Sequence, residues 1–177
     1  MLLRSAALLI VLAGCPEPTL PECDVIDASS VMLVASDYED KMIDVKDGTQ
    51  VQLLGAPQGG HILLVGARVR AHTDCQLIAT ASLRDPATQR VIGLEQRPML
   101  LDKRADGWAV PRQGLDAMPN VAVCPSAAAT TTIYNHEYKL EVALTTLDGA
   151  PVATVSAMIT PSCAVSDPYC QSDCGVY

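Results

Sequence analysis

The chain has 177 residues, of which 49% are hydrophobic and 18% charged, so its length and composition fit one globular domain and not a disordered chain. Twelve basic and 20 acidic residues give a net charge of −8, which argues against the basic surface that a nucleic-acid-binding protein needs. The chain contains no Phe and one Trp, so aliphatic side chains have to form the core.

Residues 1–14 are predicted to be an export signal. Arg4 precedes an apolar run at residues 6–12, which is far shorter than the roughly 20 residues of a membrane-spanning helix. The sequence LAGC at residues 12–15 resembles the lipobox of bacterial lipoproteins. The resemblance implies cleavage before Cys15 and acylation of that residue, for example with palmitate, so that its lipid becomes a membrane anchor. The alternative is an ordinary secretory signal in which the Cys is coincidental.

Residues 15–28 are predicted to be the lipidated N-terminus and a Pro-rich stalk. Three prolines at positions 16, 18 and 21 favour an extended spacer of about 20 Å over residues 16–22. By the lipoprotein resemblance, Pro16 in place of Asp implies the outer membrane as the location within the cell envelope.

Six of the seven cysteines follow Cys15, and an even number in an exported chain predicts disulfide bonds. The pairing stays open, because six cysteines allow about 15 connectivities. Disulfides near the C-terminus would fix the tail at residues 164–177 to the domain. A metal site is the competing interpretation, but the spacing lacks a CxxC pair. The six are Cys23, Cys75, Cys124, Cys163, Cys170 and Cys174.

Alternation of apolar and polar residues predicts an all-β domain over residues 29–163. Its turn-separated strands favour an antiparallel, disulfide-stabilised β-sandwich of about seven or more strands. No stretch shows a long amphipathic helix, and residues 101–137 are the least regular part. Strands are predicted at residues 31–35, 50–54 and 65–71, in a hairpin at 76–96, and in a second hairpin at 139–160.

Two features resemble immunoglobulin-like domains. Tyr138 opens a predicted strand and resembles a tyrosine corner, in which the hydroxyl bonds to upstream backbone. The segment GAPQGGH at residues 55–61 resembles part of a group of uncharacterised bacterial lipoproteins with immunoglobulin-like domains. That resemblance implies the fold and no activity. Gly59 and Gly60 are interpreted as positions that need a positive φ.

The histidines and acidic residues offer weak candidate sites. We expect His61 to stand alone, with His72 and His136 elsewhere. Acidic residues crowd residues 37–47, where calcium binding and a solvated loop are both open. They are Asp37, Glu39, Asp40, Asp44 and Asp47.

A blue-copper site would need Cys124, a Met such as Met118 and two histidines, but no His follows Cys124 closely. Arg68, Arg70 and Arg84 are predicted to face outward as a charged stripe that protects the sheet.

No nucleotide-binding, serine-hydrolase or zinc-protease motif is present in the sequence. We therefore predict a non-enzymatic binding or structural module without a cofactor or a metal. Its expected partners are the membrane, through the lipid on Cys15, and an envelope protein or surface ligand. The alternative is an envelope hydrolase, or a calcium- or copper-binding protein, whose site is assembled from residues distant in sequence.

Overall fold

The computed structural model describes residues 20–129 and 131–175, so the predicted export signal and Cys15 lie outside the described residues. The described part contains ten strands, a 3-10 turn at Ala28–Ser30 and one helical turn, α1 (Cys170–Asp173). No helix in these ranges is long and apolar enough to cross a membrane. The strands are β1 (Met32–Ser36), β2 (Met42–Asp44), β3 (Thr49–Gly55), β4 (His61–Arg70), β5 (Cys75–Arg84), β6 (Val91–Lys103), β7 (Trp108–Pro111), β8 (Asn120–Cys124), β9 (Tyr138–Thr145) and β10 (Pro151–Cys163).

Seven of the strands form a closed barrel in the order β4-β3-β10-β9-β5-β6-β7. The ring closes where β7 pairs with β4, with Ala109 opposite Val69 and Trp108 opposite Arg70. Strands β3 and β10 are parallel, and the other pairs in the ring are antiparallel. Strands β1 and β8 both pair with β4 outside the ring, and β2 pairs with β1.

The prediction of an all-β, disulfide-stabilised domain is confirmed, whereas the immunoglobulin-like sandwich is not. The two predicted hairpins are the β5–β6 and β9–β10 pairs. A sandwich has two separate sheets, but here the short strand β7 joins β6 to β4 and turns the sheet into a ring. Strands β7 and β8 both lie in the part that the sequence left irregular.

Alternating side chains fill the interior of the barrel. In β9 every second residue is buried, beginning with Tyr138 and continuing through Leu140 and Leu144. Each fully buried Leu contributes roughly 1.5–3 kcal/mol relative to an exposed one. The Tyr138 hydroxyl donates to the carbonyl of Thr132 at 3.3 Å, which confirms the predicted bond to upstream backbone.

Disulfides pair all six cysteines that follow Cys15, as predicted. Cys23–Cys75 ties the N-terminal segment to β5, while Cys163–Cys170 and Cys124–Cys174 fix the C-terminal tail. Part of the predicted stalk lies against the barrel, since the amide of Cys23 donates to Gln76 and that of Ile26 donates to Arg70.

The N-terminal and C-terminal segments that the structure describes are therefore fixed to opposite ends of β4. The N-terminal segment reaches the barrel at what we call the Arg70 end, beside Gln76. The C-terminal tail packs at what we call the His61 end, beside Cys124. Ten residues of extended strand place these ends about 30 Å apart.

Candidate functional site

A half-open cavity of about 460 Å³ lies at the His61 end. One wall is the β3–β4 turn at residues 56–60, where Gly59 and Gly60 have φ of +93° and +74°. A Cβ on Gly60 would lie 2.3 Å from the carbonyl oxygen of Cys124, so only Gly allows the turn to approach β8. The predicted need for positive φ is confirmed. The other walls are the start of β4 at residues 61–62, β6, β8 and the loop at residues 115–116.

An ion pair on β6 organises the cavity wall. Glu95 accepts from the Nε and Nη2 atoms of Arg97 at 3.1 and 2.6 Å, and its second oxygen accepts from the amide of Asn120. The Nη1 atom of Arg97 donates to the carbonyl of Leu115. The pair thus joins β6 to β8 and to the neighbouring loop, all of which line the cavity.

Asn120 supplies an unpaired hydrogen-bond acceptor to this wall. Its Oδ1 atom is buried and has no partner among the described residues. An unpaired buried polar atom costs roughly 1–3 kcal/mol. The lining also holds the paired side chains of Glu95 and Arg97 and the carboxylate of Asp116, so Asp116 and Asn120 are the acceptors outside that ion pair for a small molecule with N–H or O–H donors.

His61 lines the cavity and also belongs to a buried polar network. The side chain is 3% exposed, and its Nε2 atom lies 2.8 Å from Oδ2 of Asp167. That oxygen also accepts from the Tyr38 hydroxyl at 2.7 Å. The other oxygen of Asp167 accepts from the amides of Tyr169 and Cys170. One carboxylate therefore links β4, the β1–β2 connection and the C-terminal tail.

The hydrogen bond from Tyr38, with those from His61 and Tyr169, lowers the pKa of Asp167 to about 2. Burial and the hydrogen bond to Asp167 raise the pKa of Tyr38. Asp167 is therefore ionised near neutral pH and can only accept, so the Nε2 atom of His61 must carry the proton.

The expectation that His61 stands alone is wrong. Its Nδ1 atom lies 3.4 Å from Oδ2 of Asp173, and two carboxylates thus face opposite sides of the ring. The disulfides fold the tail back onto β4 and bring these residues together. His72 and His136 are exposed and lie in other loops.

Among the described residues, one group of three potential metal ligands lies close together. The ligand atoms of His61, Cys170 and Cys174 are within 4.8 Å of one another. Both sulfurs belong to disulfides, so neither is a thiolate ligand. Cys124 is likewise in a disulfide, which removes the thiolate that a blue-copper site requires.

Three of the acidic residues at positions 37–47 bind different backbone or side-chain groups. Asp37 accepts from the amides of Glu39 and Lys41, Asp47 accepts from the amide of Met158, and Asp44 pairs with Arg68. No group of three of these carboxylates converges within the described ranges.

The predicted arginine stripe is divided between two places. Arg68 and Arg70 lie 4.6 and 4.3 Å from the ring centre of Trp108. Arg84 lies at the far end of β5 and bonds to the carbonyl of Gln89. Two of the three thus pack around the chain's single Trp near the Arg70 end.

No protein-family model, curated protein or solved structure matches this chain. Sequence reasoning singled out the segment at residues 55–61 and Cys124, which line the cavity, but it missed Glu95, Arg97, Asp116 and Asn120 and both carboxylate partners of His61. Asp167 and Asp173 did carry one signal, since they lie in a tail whose cysteines predict attachment to the domain.

Proposed function

We propose that the chain is a lipid-anchored, non-enzymatic binding module of the bacterial cell envelope, held at the outer membrane by acylated Cys15. The observation that carries this proposal is that the chain enters the barrel at the Arg70 end while the cavity lies at the His61 end. A barrel tethered at one end presents its other end to the surroundings. The cavity is therefore the surface that we propose meets a ligand.

The short connection to Cys15 supports this orientation. Cys15 precedes Leu20 by five residues, which span at most about 18 Å when fully extended. The side chain of Gln76 donates to the carbonyl of Leu20, so the first described residue already contacts the barrel. A lipid on Cys15 would keep the Arg70 end near the membrane surface and direct the cavity away from it.

The disulfides support an exported location. Three disulfides in one small domain are typical of oxidising compartments outside the cytoplasm. Kinship with immunoglobulin-like envelope lipoproteins is part of the proposal. The bond from Tyr138 to Thr132 supports it, while the closed strand ring departs from the usual two-sheet arrangement.

The cavity favours binding over catalysis. Its volume lies within the range of small-molecule sites, roughly 300–1,000 Å³. Both ring nitrogens of His61 face carboxylates, and His72 and His136 lie in other loops, so among the described residues no second histidine joins His61 at the cavity. We propose a small neutral or cationic ligand that donates hydrogen bonds to Asn120 and Asp116.

A photo-crosslinking amino acid at Ala122, which is exposed on the cavity wall, tests the binding site in intact cells. We expect an adduct from position 122 that disappears when Asn120→Leu removes the buried acceptor. The matched control places the crosslinker at Ala105, an exposed residue in the β6–β7 turn. An adduct that forms equally from position 105, or that survives Asn120→Leu, would refute the cavity as the binding site.

Labelling with a fatty-acid analogue tests the anchor separately. Wild type is expected to incorporate the label, and Cys15→Ser is expected to incorporate none and to leave the membrane fraction. Unchanged membrane association of Cys15→Ser would show that the anchor lies elsewhere, whatever the outcome at the cavity.

A further inference from the structure

We infer that His61 and Asp173 form a binding site for one divalent transition-metal cation, with zinc as the reference ion. The inference is independent of the lipid on Cys15 and of the ligand in the cavity. It follows from the distance between Nδ1 of His61 and Oδ2 of Asp173, and from Asp167, which orients the His61 ring.

The Nδ1 atom of His61 is buried, 97% of its side chain being inaccessible, and it has no hydrogen-bond partner among the described residues. The Nε2 atom lies 2.8 Å from an oxygen of Asp167 that also accepts from the Tyr38 hydroxyl, so Nε2 is the donor and Nδ1 carries the lone pair whenever the ring is neutral. That lone pair faces Oδ2 of Asp173. Two acceptors that face each other require a cation or a proton between them.

The separation of 3.4 Å between these atoms suits a metal ion better than a hydrogen bond. Hydrogen bonds between N and O span about 2.7–3.2 Å. Two ligand atoms about 2.0–2.1 Å from a tetrahedral zinc ion lie roughly 3.4 Å apart. The side chains therefore stand at ligand spacing without rearrangement.

Asp167 and Tyr38 complete the arrangement around the ring. A metal-binding histidine commonly donates its other N–H to a carboxylate, which fixes the tautomer and the ring orientation. Asp167 occupies that position, and the hydroxyl of Tyr38 and the amides of Tyr169 and Cys170 hold it in place. Asp167 and Tyr38 are positioning residues here and not ligands.

Asp173 gives the site access to solvent. Its side chain is 35% exposed, and His61 is its one polar partner among the described residues. The sulfurs of Cys170 and Cys174 lie nearby but are held in disulfides, so water is expected to fill the remaining coordination positions. Imidazole and carboxylate ligands with water suit zinc, and copper(II) binds such sets more tightly.

The test titrates zinc chloride into the mature, disulfide-bonded protein and follows binding by calorimetry. His72→Gln together with His136→Gln removes the exposed imidazoles and leaves His61 alone. We expect that background to bind one zinc ion per chain. Asp173→Asn is expected to weaken binding at least tenfold, and Asp167→Asn about 10- to 100-fold through the orientation of the ring. Asp74→Asn, at the Arg70 end, is the matched control and should leave zinc binding unchanged.

Nuclear magnetic resonance of the imidazole supplies a readout that general destabilisation does not move. Zinc should shift the ring signals of His61 in the His72/His136 background. The inference is overturned if no zinc binds at 1 mM, if binding disappears in that background, or if Asp173→Asn matches Asp74→Asn. Thiol titration of each variant confirms that the disulfides remain closed.

Discussion

The N-terminal and C-terminal segments are both attached to the barrel, but in different ways. The N-terminal segment is held by one disulfide and by backbone hydrogen bonds along β4 and β5. The C-terminal tail is held by two disulfides and by the buried contact between His61 and Asp167. The first kind of attachment only secures a chain, whereas the second also builds a polar site. The contacts at the His61 end therefore do more than hold the chain, because they also form a buried polar site.

The two long-range disulfides allow this comparison to be measured. Cys23–Cys75 and Cys124–Cys174 close loops of 52 and 50 residues that do not overlap in sequence. In the chain-entropy model each stabilises by about 4 kcal/mol. We expect Cys23→Ala/Cys75→Ala and Cys124→Ala/Cys174→Ala to lose similar unfolding free energy in urea titrations. A gap of several kcal/mol would contradict the view that loop closure dominates.

Hydrogen exchange on the same variants locates the loss. The amide of Ile133 donates to Cys174 and should lose protection only without Cys124–Cys174. The amide of Gln76 donates to Pro21 and should lose protection only without Cys23–Cys75. Loss of protection at both amides in either variant would show that the two ends are coupled.

Two glycine substitutions test how tightly the His61 end is packed, with a smaller expected loss of stability than the disulfide variants. A Cβ on Gly93 would lie 2.3 Å from the carbonyl oxygen of Ala122, where β6 and β8 meet beside the cavity. Gly93→Ala should therefore cost about 2 kcal/mol by overpacking. Gly149→Ala, in the β9–β10 turn, meets no atom within 4 Å but has a φ of +92°, so strain alone should cost about 1 kcal/mol. Thermal unfolding should rank the two in that order, and the reverse order would count against tight packing at the cavity.

Tyr138→Phe is expected to cost about 1 kcal/mol, because it leaves the carbonyl of Thr132 without the hydroxyl that bonds to it. Tyr169→Phe is the control, since Tyr169 is 71% exposed. Equal unfolding free energies for the two variants would show that the hydrogen bond from Tyr138 to Thr132 does not stabilise the loop before β9.

The smallest expected effect at neutral pH concerns Asp167 in acid. Its pKa of about 2 lies below the ordinary value of 3.8, so its contribution to stability is complete above about pH 4. That contribution is lost as the pH falls toward 2. Asp167→Asn should therefore flatten the decline in urea midpoint between pH 4 and pH 2, whereas Asp74→Asn should keep the wild-type slope. An unchanged slope in Asp167→Asn would show that another group controls acid sensitivity.

Much of the barrel could be predicted from local pattern. Leu140, Val142 and Leu144 alternate with polar residues, and the resulting strand is where the period places it. Closure could not be predicted, because it depends on β7, a strand of four residues that ends in Pro111. A segment so short carries no periodic signal, and its pairing with β4 is a tertiary event.

The site was harder to predict for the same reason. Asp167 lies 106 residues from His61 in sequence, and the contact exists only because Cys124–Cys174 and Cys163–Cys170 fold the tail onto β4. Six cysteines predict disulfides, but the sequence does not show which cysteines pair. His61 and Asp167 could be read from the sequence, but their contact could not be predicted without knowing how the cysteines pair.

Energy transfer from tryptophan to dansyl-labelled lipid headgroups tests the proposed orientation most directly. Trp108 is the only Trp in the chain and lies opposite Arg70, at the end where the N-terminal segment enters. In vesicles that carry the acylated protein, strong transfer from Trp108 is expected. A variant that combines Trp108→Tyr with Tyr169→Trp moves the donor to the tail at the His61 end, and its transfer should be weak. Equal transfer from both positions, or stronger transfer from position 169, would contradict a barrel anchored at the Arg70 end with its cavity facing away from the membrane.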